Sequence, residues 1–405
     1  MTTLTTTAAP TWTAAAGPVT ADGTYDGETY DARMEMPGWD VAGFVEEASV
    51  WAPAPTVADG PRGKMAASSM PAVALDRIVK PIGITNPAPG MFVVDYGTNV
   101  AGWSVLKGIK GKAGQTVVMK HAEIMQHENL PGNQGAWRPT ITKMNSSMIY
   151  QGNLRSALAT DTYIMKGDAA GETYTPSFTY HGCRYVEVTG LDSLTVDDIE
   201  YHHFHTANAV KSKVTFSSPT ITAVQKLAVG AQRSNMMTVP TDCDQRDERL
   251  GWMGDADLSG ESMLINYDSG AFLSMFMANM DSEVDPDGSL TDVVPFVRYG
   301  NRPGDPSWTA AFIEVAYQLW KIDGKAAIPK QYWDHIQLHL SKFAVSPHAI
   351  RPLLVISTAI LTGCVCCIHK TPRRLIALVV HGSILRRLLA NTGDGQEGRQ
   401  QVAAD

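Results

Sequence analysis

At Ser217-Ser218-Pro219 the apolar pattern of the chain changes its period. Upstream, short runs rich in β-branched and aromatic residues (92–94, 103–106, 116–119, 162–165 and 185–188) are separated by turns such as 111–114 and 190–192. Runs of this kind build half-buried strands, and the turns let them double back. Downstream, Ser218 is placed to cap a helix with Pro219 in its first turn, and Ile221, Val224, Ala228 and Ala231 follow at helical spacing. Residues 272–280, 312–320 and 333–343 repeat that spacing, and all these apolar stripes read as core. Strands first and helices second exclude a doubly wound α/β fold, which alternates them. The pattern predicts an antiparallel β-sandwich of jelly-roll type over residues 91–210 and a helical domain over 211–344. Residues 1–58 read as a lead-in with a partial β module, and the Pro-, Ala- and Gly-rich stretch 59–90 as a linker with edge strands.

Charge narrows the function. The 405 residues carry 33 Lys and Arg against 41 Asp and Glu, a formal charge of −8, so no basic excess is present to neutralise the phosphates of a nucleic acid. Residues 345–405 hold only 3 of the acids but 7 of the basic residues, which leaves −12 before them and +4 within them. That last segment contains no aromatic residue and no Met, yet it has three of the five cysteines (Cys364, Cys366 and Cys367). It reads as sequence of another origin, such as translated intron or an out-of-frame stretch. The uncharged run from Pro352 to Ile368 includes Ser357, Thr358, Thr362 and Gly363, and a membrane span is not expected from it. The start of the chain lacks the basic and apolar regions of a signal peptide, which makes the cytoplasm the default compartment. Cys183 and Cys243 read as small buried hydrophobes.

Chemistry concentrates in residues 241–255. Five carboxylates (Asp242, Asp244, Asp247, Glu248 and Asp255), two arginines (Arg246 and Arg249) and Trp252 occupy this segment. Such a charge run can be a solvated loop between helices, but its flanks are apolar and a Gly-Trp-x-Gly turn sets an indole among acids. Carboxylates can bind vicinal hydroxyls, an indole can cover the apolar face of a pyranose, and a carboxyl of raised pKa can protonate a glycosidic oxygen. A second patch, Asp285–Gly288 with residues 304–308, adds Trp308. A Ca²⁺ loop on Asp242, Asp244 and Asp247 lacks the required Gly at the sixth place and Glu at the twelfth, where Met253 stands. His202, His203 and His205 could hold a transition metal but read as a strand, so no metal and no cofactor is expected.

The run from Arg233 to Asp255, with Thr241-Asp-Cys-Asp-Gln-Arg-Asp-Glu-Arg-Leu-Gly-Trp-Met-Gly-Asp255 at its centre, resembles the hallmark segment of α-L-rhamnosidases of glycoside hydrolase family 78. Residues 25–33, 153–163, 178–188 and 304–308 extend the resemblance over about residues 22–343. It implies a concanavalin-like β-sandwich followed by an (α/α)6 barrel. It also implies inverting removal of terminal non-reducing α-L-rhamnose from glycosides or polysaccharides. Glu248 falls on the position of the general acid, while Asp242, Arg246, Trp252, Asp255 and Trp308 fall on positions that grip the rhamnose. The family pattern begins with further β modules, which leaves secretion open. This chain departs from it at Asp244, where proline is usual, and after Trp308, where Thr309-Ala310 follows.

Twelve barrel helices with their connections need roughly 300 residues. Residues 217–344 number 128, so the expectation is an incomplete barrel with exposed apolar faces and poor solubility. The general base, which the resemblance places late in the barrel, is expected to be absent from this chain, leaving it inactive. A non-catalytic carbohydrate-binding fragment is the alternative, and the oligomeric state is left open.

Overall fold

The computed structural model describes residues 12–54, 67–127, 145–297 and 299–344. They form two compact units: the first draws on residues up to Ala67, on Asp76–His203 and on Gln245–Asp247, the second on Ser68–Leu75, Phe204–Asp244 and the chain from Glu248. The readings of residues 345–405, the Pro352–Ile368 run included, lie outside the described residues. Among those described, no helix is long and apolar enough to cross a membrane.

The first unit is built on one ten-stranded sheet. Its strands are β1 (Val19–Gly23), β2 (Gly27–Asp31), β3 (Val73–Val79), β4 (Gly83–Ala88), β5 (Met91–Ile109), β6 (Thr116–Ala122), β7 (Thr160–Ile164), β8 (Glu172–Tyr174), β9 (His181–Thr189) and β10 (Ile199–Thr206). They run in the order β1-β2-β7-β6-β9-β5-β10-β3, with β4 and β8 also paired to β5. The 19-residue β5 organises the fold, pairing with β9 through residues 91–95 and 100–102 and with β10 through 102–106. A register shift between Cys183 and Tyr185 lets β9 follow it. Side chains alternate along these strands, so Val94, Leu106, Val117, Met119, Val186, Val188 and Tyr201 close one core. Gly190 makes the turn after β9 possible: its φ is +91° and a Cβ there would stand 1.9 Å from the Thr116 carbonyl oxygen.

Two boundaries differ from the sequence reading. Strands β1 and β2, expected in a separate lead-in module, join this sheet, and β2 runs parallel to β7. Within the expected linker, the edge strands are β3 and β4, and both pair into the same sheet; β4 carries Pro87, which an edge position tolerates.

Helices make the second unit: α1 (Pro219–Ser234), α2 (Met253–Asn266), α3 (Gly270–Ser282), α4 (Pro306–Thr309), α5 (Ala311–Asp323), α6 (Ala327–Gln331) and α7 (Trp333–Ala344). The Ser218 hydroxyl accepts from the Ile221 N–H as a cap, with Pro219 in the first turn. Phe272, Phe276, Met280, Phe312, Leu319 and Ile336 meet in one core, as their spacing predicts. Helix α2 buries Met253, Ala256, Gly260, Met263 and Leu264 at helical spacing, but Ala256 and Gly260 make this stripe weakly apolar and its start lies inside the acidic run.

Helix α1 corrects its own pattern. Ile221, Val224 and Leu227 are exposed by 51%, 59% and 72%. The polar side of α1 faces α2 instead: Gln225 Nε2 donates to Asn266 Oδ1 at 3.2 Å, and Gln232 Nε2 donates to Ser262 Oγ at 2.5 Å. Arg233 Nε donates to the Tyr267 hydroxyl at 3.3 Å. Apolar periodicity marks which face a helix has available for burial; it does not establish that a partner covers it.

Candidate active site

The acidic segment leaves α1 through a narrow antiparallel loop, Met236-Met237 against Val239-Pro240. Asn235 closes its base, its carbonyl accepting from the Thr241 N–H at 2.8 Å and from the Thr241 hydroxyl at 3.1 Å. Backbone bonds then fold the segment on itself. The Asp242 N–H donates to the Leu250 carbonyl at 3.1 Å, and Leu250 returns its N–H to Asp242 Oδ1 at 3.0 Å. Cys243 Sγ accepts from the Arg249 N–H at 3.5 Å, and Arg249 takes a positive φ of 53° to complete the loop. The result brings Asp242, Cys243 and Glu248 together, their ligand-type atoms all within 4.8 Å of one another. Cys243 is buried and the two acids are half-buried, which suits a carboxyl that must meet a ligand and still shed water.

Two tryptophans join this unit by close backbone approach. Trp252 precedes α2 and bridges to Val293, while Gly251 packs so tightly that a Cβ would stand 2.1 Å from the Val294 carbonyl oxygen. Trp308, on α4, lies against Gly254, where a Cβ would meet its indole at 2.9–3.0 Å. The first glycine of the Gly-Trp-x-Gly turn thus admits a strand-like neighbour and the second admits an indole. Both indole N–H groups are buried and have no acceptor among the described residues. Buried donors left this way cost about 1–3 kcal/mol each, so a hydroxyl-bearing ligand that accepts from them gains affinity.

Asp292 holds the loop that carries Trp308. Its Oδ2 accepts from the Asn301 backbone N–H at 2.8 Å and side-chain N–H at 2.7 Å, and its Oδ1 accepts from the Asp305 N–H at 2.6 Å. Asp305 in turn caps α4 by accepting from the Ser307 N–H at 2.9 Å. Arg302 braces the same loop with bonds of 2.6 Å to Glu283 and 2.8 Å to Asp285. The sequence reading did not single out Asp292, because nothing in Thr-Asp-Val-Val distinguishes a loop-holding acid from a solvated one.

Placement of the expected residues is uneven. Asp242, Glu248, Trp252, Asp255 and Trp308 all belong to the second unit, with Asp255 exposed in the first turn of α2. Gln245, Arg246 and Asp247 are grouped with the first unit. There Asp247 is buried, and Arg155 Nε donates to it at 2.7 Å while the Ser156 hydroxyl makes a second bond. Burial raises this carboxyl, but the bonds from Ser156 and Arg155 outweigh it and hold Asp247 below the ordinary range. Also in the first unit, burial pushes Glu123 up, only partly offset by Asn99, Gln245, Arg246 and Asn153. Glu123, bonded by Gln245 and within the field of Arg246, is a neighbour that no local motif announced. In α2, burial alone pushes Asp257 up to about 6.

Comparison with known proteins matches this division. The bacterial α-L-rhamnosidase N-terminal domain matches residues 2–77, the concanavalin-like domain residues 85–205 and the six-hairpin glycosidase domain residues 210–349. An α-L-rhamnosidase of Streptomyces avermitilis is 34% identical over 320 residues, 78% of this chain and 29% of that protein. The structure of α-L-rhamnosidase from Dictyoglumus thermophilum superposes with a TM-score of 0.73 at 34% identity, covering 80% of this chain and 34% of that one. A Streptomyces avermitilis α-L-rhamnosidase solved in complex with L-rhamnose gives 0.72 at 32% identity, covering 83% and 30%. The chain thus spans about a third of the length of the relatives it matches. With all three domain types in order and a concanavalin-like sandwich followed by six-hairpin helices, the chain belongs to the α-L-rhamnosidases of glycoside hydrolase family 78.

Proposed function

We propose that this chain recognises terminal α-L-rhamnose and presents the acid of an inverting hydrolysis. The reading rests on one juxtaposition: the Asp242–Cys243–Glu248 cluster opens the segment whose next turns seat Trp252 and Trp308, two half-buried indoles whose N–H groups have no acceptor among the described residues. Glu248 protonates the glycosidic oxygen as the bond to the anomeric carbon breaks, so the aglycone leaves as a neutral alcohol. Asp242 and Asp255 accept hydrogen bonds from sugar hydroxyls, and the indoles cover the apolar face of the ring. No metal or cofactor is needed for this step.

The same mechanism requires a second carboxylate about 6.5–9.5 Å from the acid, on the opposite face of the sugar, to deprotonate the attacking water. We place that base outside the described residues, whose seven helices are fewer than the twelve of a closed (α/α)6 barrel. The expected behaviour is therefore rhamnose binding with hydrolysis at the background rate. Calorimetry with L-rhamnose and hydrolysis of p-nitrophenyl α-L-rhamnoside test both halves. Trp252→Ala should weaken binding about tenfold or more. Turnover that Glu248→Gln abolishes would overturn the missing base, and a chain that takes up no rhamnose would overturn the whole reading.

A further inference from the structure

Asp292 reaches both tryptophans of the proposed sugar site, and it does so by two separate routes. The residue is buried, with 3% of its surface exposed. Toward Trp252 the route is backbone. The Met253 N–H donates to the Asp292 carbonyl at 2.9 Å, Val293 bridges Trp252, and the Val294 N–H donates to the Gly251 carbonyl at 2.9 Å. These bonds seat Trp252 whatever side chain stands at position 292.

Toward Trp308 the route is the carboxylate. Backbone alone tethers the intervening loop as far as residue 304: the Asp292 N–H donates to the Asn301 carbonyl at 3.1 Å, and the Gly304 N–H donates to the Leu290 carbonyl at 2.7 Å. The next bond depends on a side chain, since the Asp305 N–H donates to Asp292 Oδ1 at 2.6 Å. Asp305 then starts α4, its carbonyl accepting from the Trp308 N–H at 2.9 Å and its carboxylate from the Ser307 N–H at 2.9 Å. The orientation of the Asp305 peptide is thereby passed to the indole three residues on. Asp292 Oδ2 is committed as well, accepting from the backbone and side-chain N–H groups of Asn301 at 2.8 and 2.7 Å. With both oxygens facing donors, an amide at 292 can satisfy only one side. Its oxygen would go to the two donors of Asn301, and its own N–H would confront that of Asp305.

We propose that the Asp292 carboxylate is the positioning residue for Trp308 and leaves Trp252 to the backbone, so that rhamnose affinity depends on Asp292 through one indole only. The Trp308 N–H, which has no acceptor among the described residues, is the donor whose aim it sets. The link to affinity rests on the sugar reading above, whereas the placement of the indole does not.

Isotope-labelled tryptophan gives one indole N–H resonance per residue in nuclear magnetic resonance, and Trp308→Phe and Trp252→Phe identify the two that matter. In Asp292→Asn the Trp308 resonance should move and the Trp252 resonance stay. Asn301→Ala, which keeps the bond from Asp305, should move neither. By calorimetry Asp292→Asn should weaken rhamnose binding about fivefold, the size of one lost hydrogen bond. That loss should shrink to less than about twofold in a Trp308→Phe background and persist in Trp252→Phe. In folded wild type the Asp305 amide should exchange slowly with deuterium, a readout that needs no variant to fold. A stationary Trp308 resonance in folded Asp292→Asn, or rapid exchange at Asp305, would overturn the positioning role. Unchanged affinity in a variant whose Trp308 resonance has moved would overturn its link to the sugar. Wild type that takes up no rhamnose, with the Trp308 resonance still moved by Asp292→Asn, would overturn the sugar reading and uphold the positioning role.

Discussion

Asp257→Asn should stabilise the second unit at neutral pH and leave it unchanged in acid. The carboxyl of Asp257 is desolvated on α2, and no donor or cation among the described residues offsets the cost of its charge, so its pKa rises from 3.8 to about 6. Asparagine has nearly the same shape and never ionises. The sign follows from proton binding: between these two values the folded chain holds a proton that the unfolded chain has released, so stability falls as pH rises through about 6. Linkage puts the resulting advantage of the asparagine variant near zero well below pH 3.8, at roughly half its full size at pH 5 and at about 3 kcal/mol above pH 7.

Urea unfolding followed by tryptophan fluorescence, repeated from pH 4 to pH 8, measures this difference directly. Its shape is the diagnostic quantity. A gain of similar size at every pH would mean that asparagine improves packing or α2 propensity and that the carboxylate is not strained. A loss at pH 7 would mean that the ionised Asp257 is satisfied, and the desolvation argument would fail.

His339 should give the opposite pH dependence. It is buried, its Nδ1 lies 2.8 Å from the Gly288 carbonyl oxygen, and burial lowers its pKa below 6.5. The unfolded chain therefore takes up a proton first as pH falls through 6.5, and stability declines; His339→Gln should flatten that acid limb in the same urea series. Gly254→Ala places a methyl 2.9–3.0 Å from the Trp308 indole and should cost about 1–3 kcal/mol while weakening rhamnose binding, as thermal unfolding and calorimetry would show. Equal rhamnose affinity in Gly254→Ala would separate Trp308 from the sugar site.

Much of the fold follows from local rules that operate within a few residues. The Ser218 cap, the Pro219 start and the stripe 272–280 are visible because capping and periodicity are properties of adjacent turns. Helix α2 escaped those rules: carboxylates at its start are stabilising there, yet they make the segment look like a solvated loop. The pairing of strands β1 to β4 into the main sheet escaped for another reason. Their partners lie as far away as β7 and β10, and pairing over such distances leaves no local trace beyond weak alternation.

For the site, the residues that would touch a ligand were easier to find than those that hold them. Glu248, Asp242 and Trp252 stand in one dense run, so their chemistry was apparent from neighbours in sequence. Asp292 acts on Asn301 and Asp305, and Glu123 bonds Gln245, through contacts that no spacing rule anticipates. The His121–Asp161–His181 cluster belongs to that second class as well. Each member looks like an ordinary inward residue of its strand, and only the sheet order, which sets β7, β6 and β9 side by side, turns three isolated polar residues into one buried hydrogen-bonded cluster. Chemistry concentrated in one segment can be read before folding; chemistry assembled across strands exists only once the register of those strands is fixed.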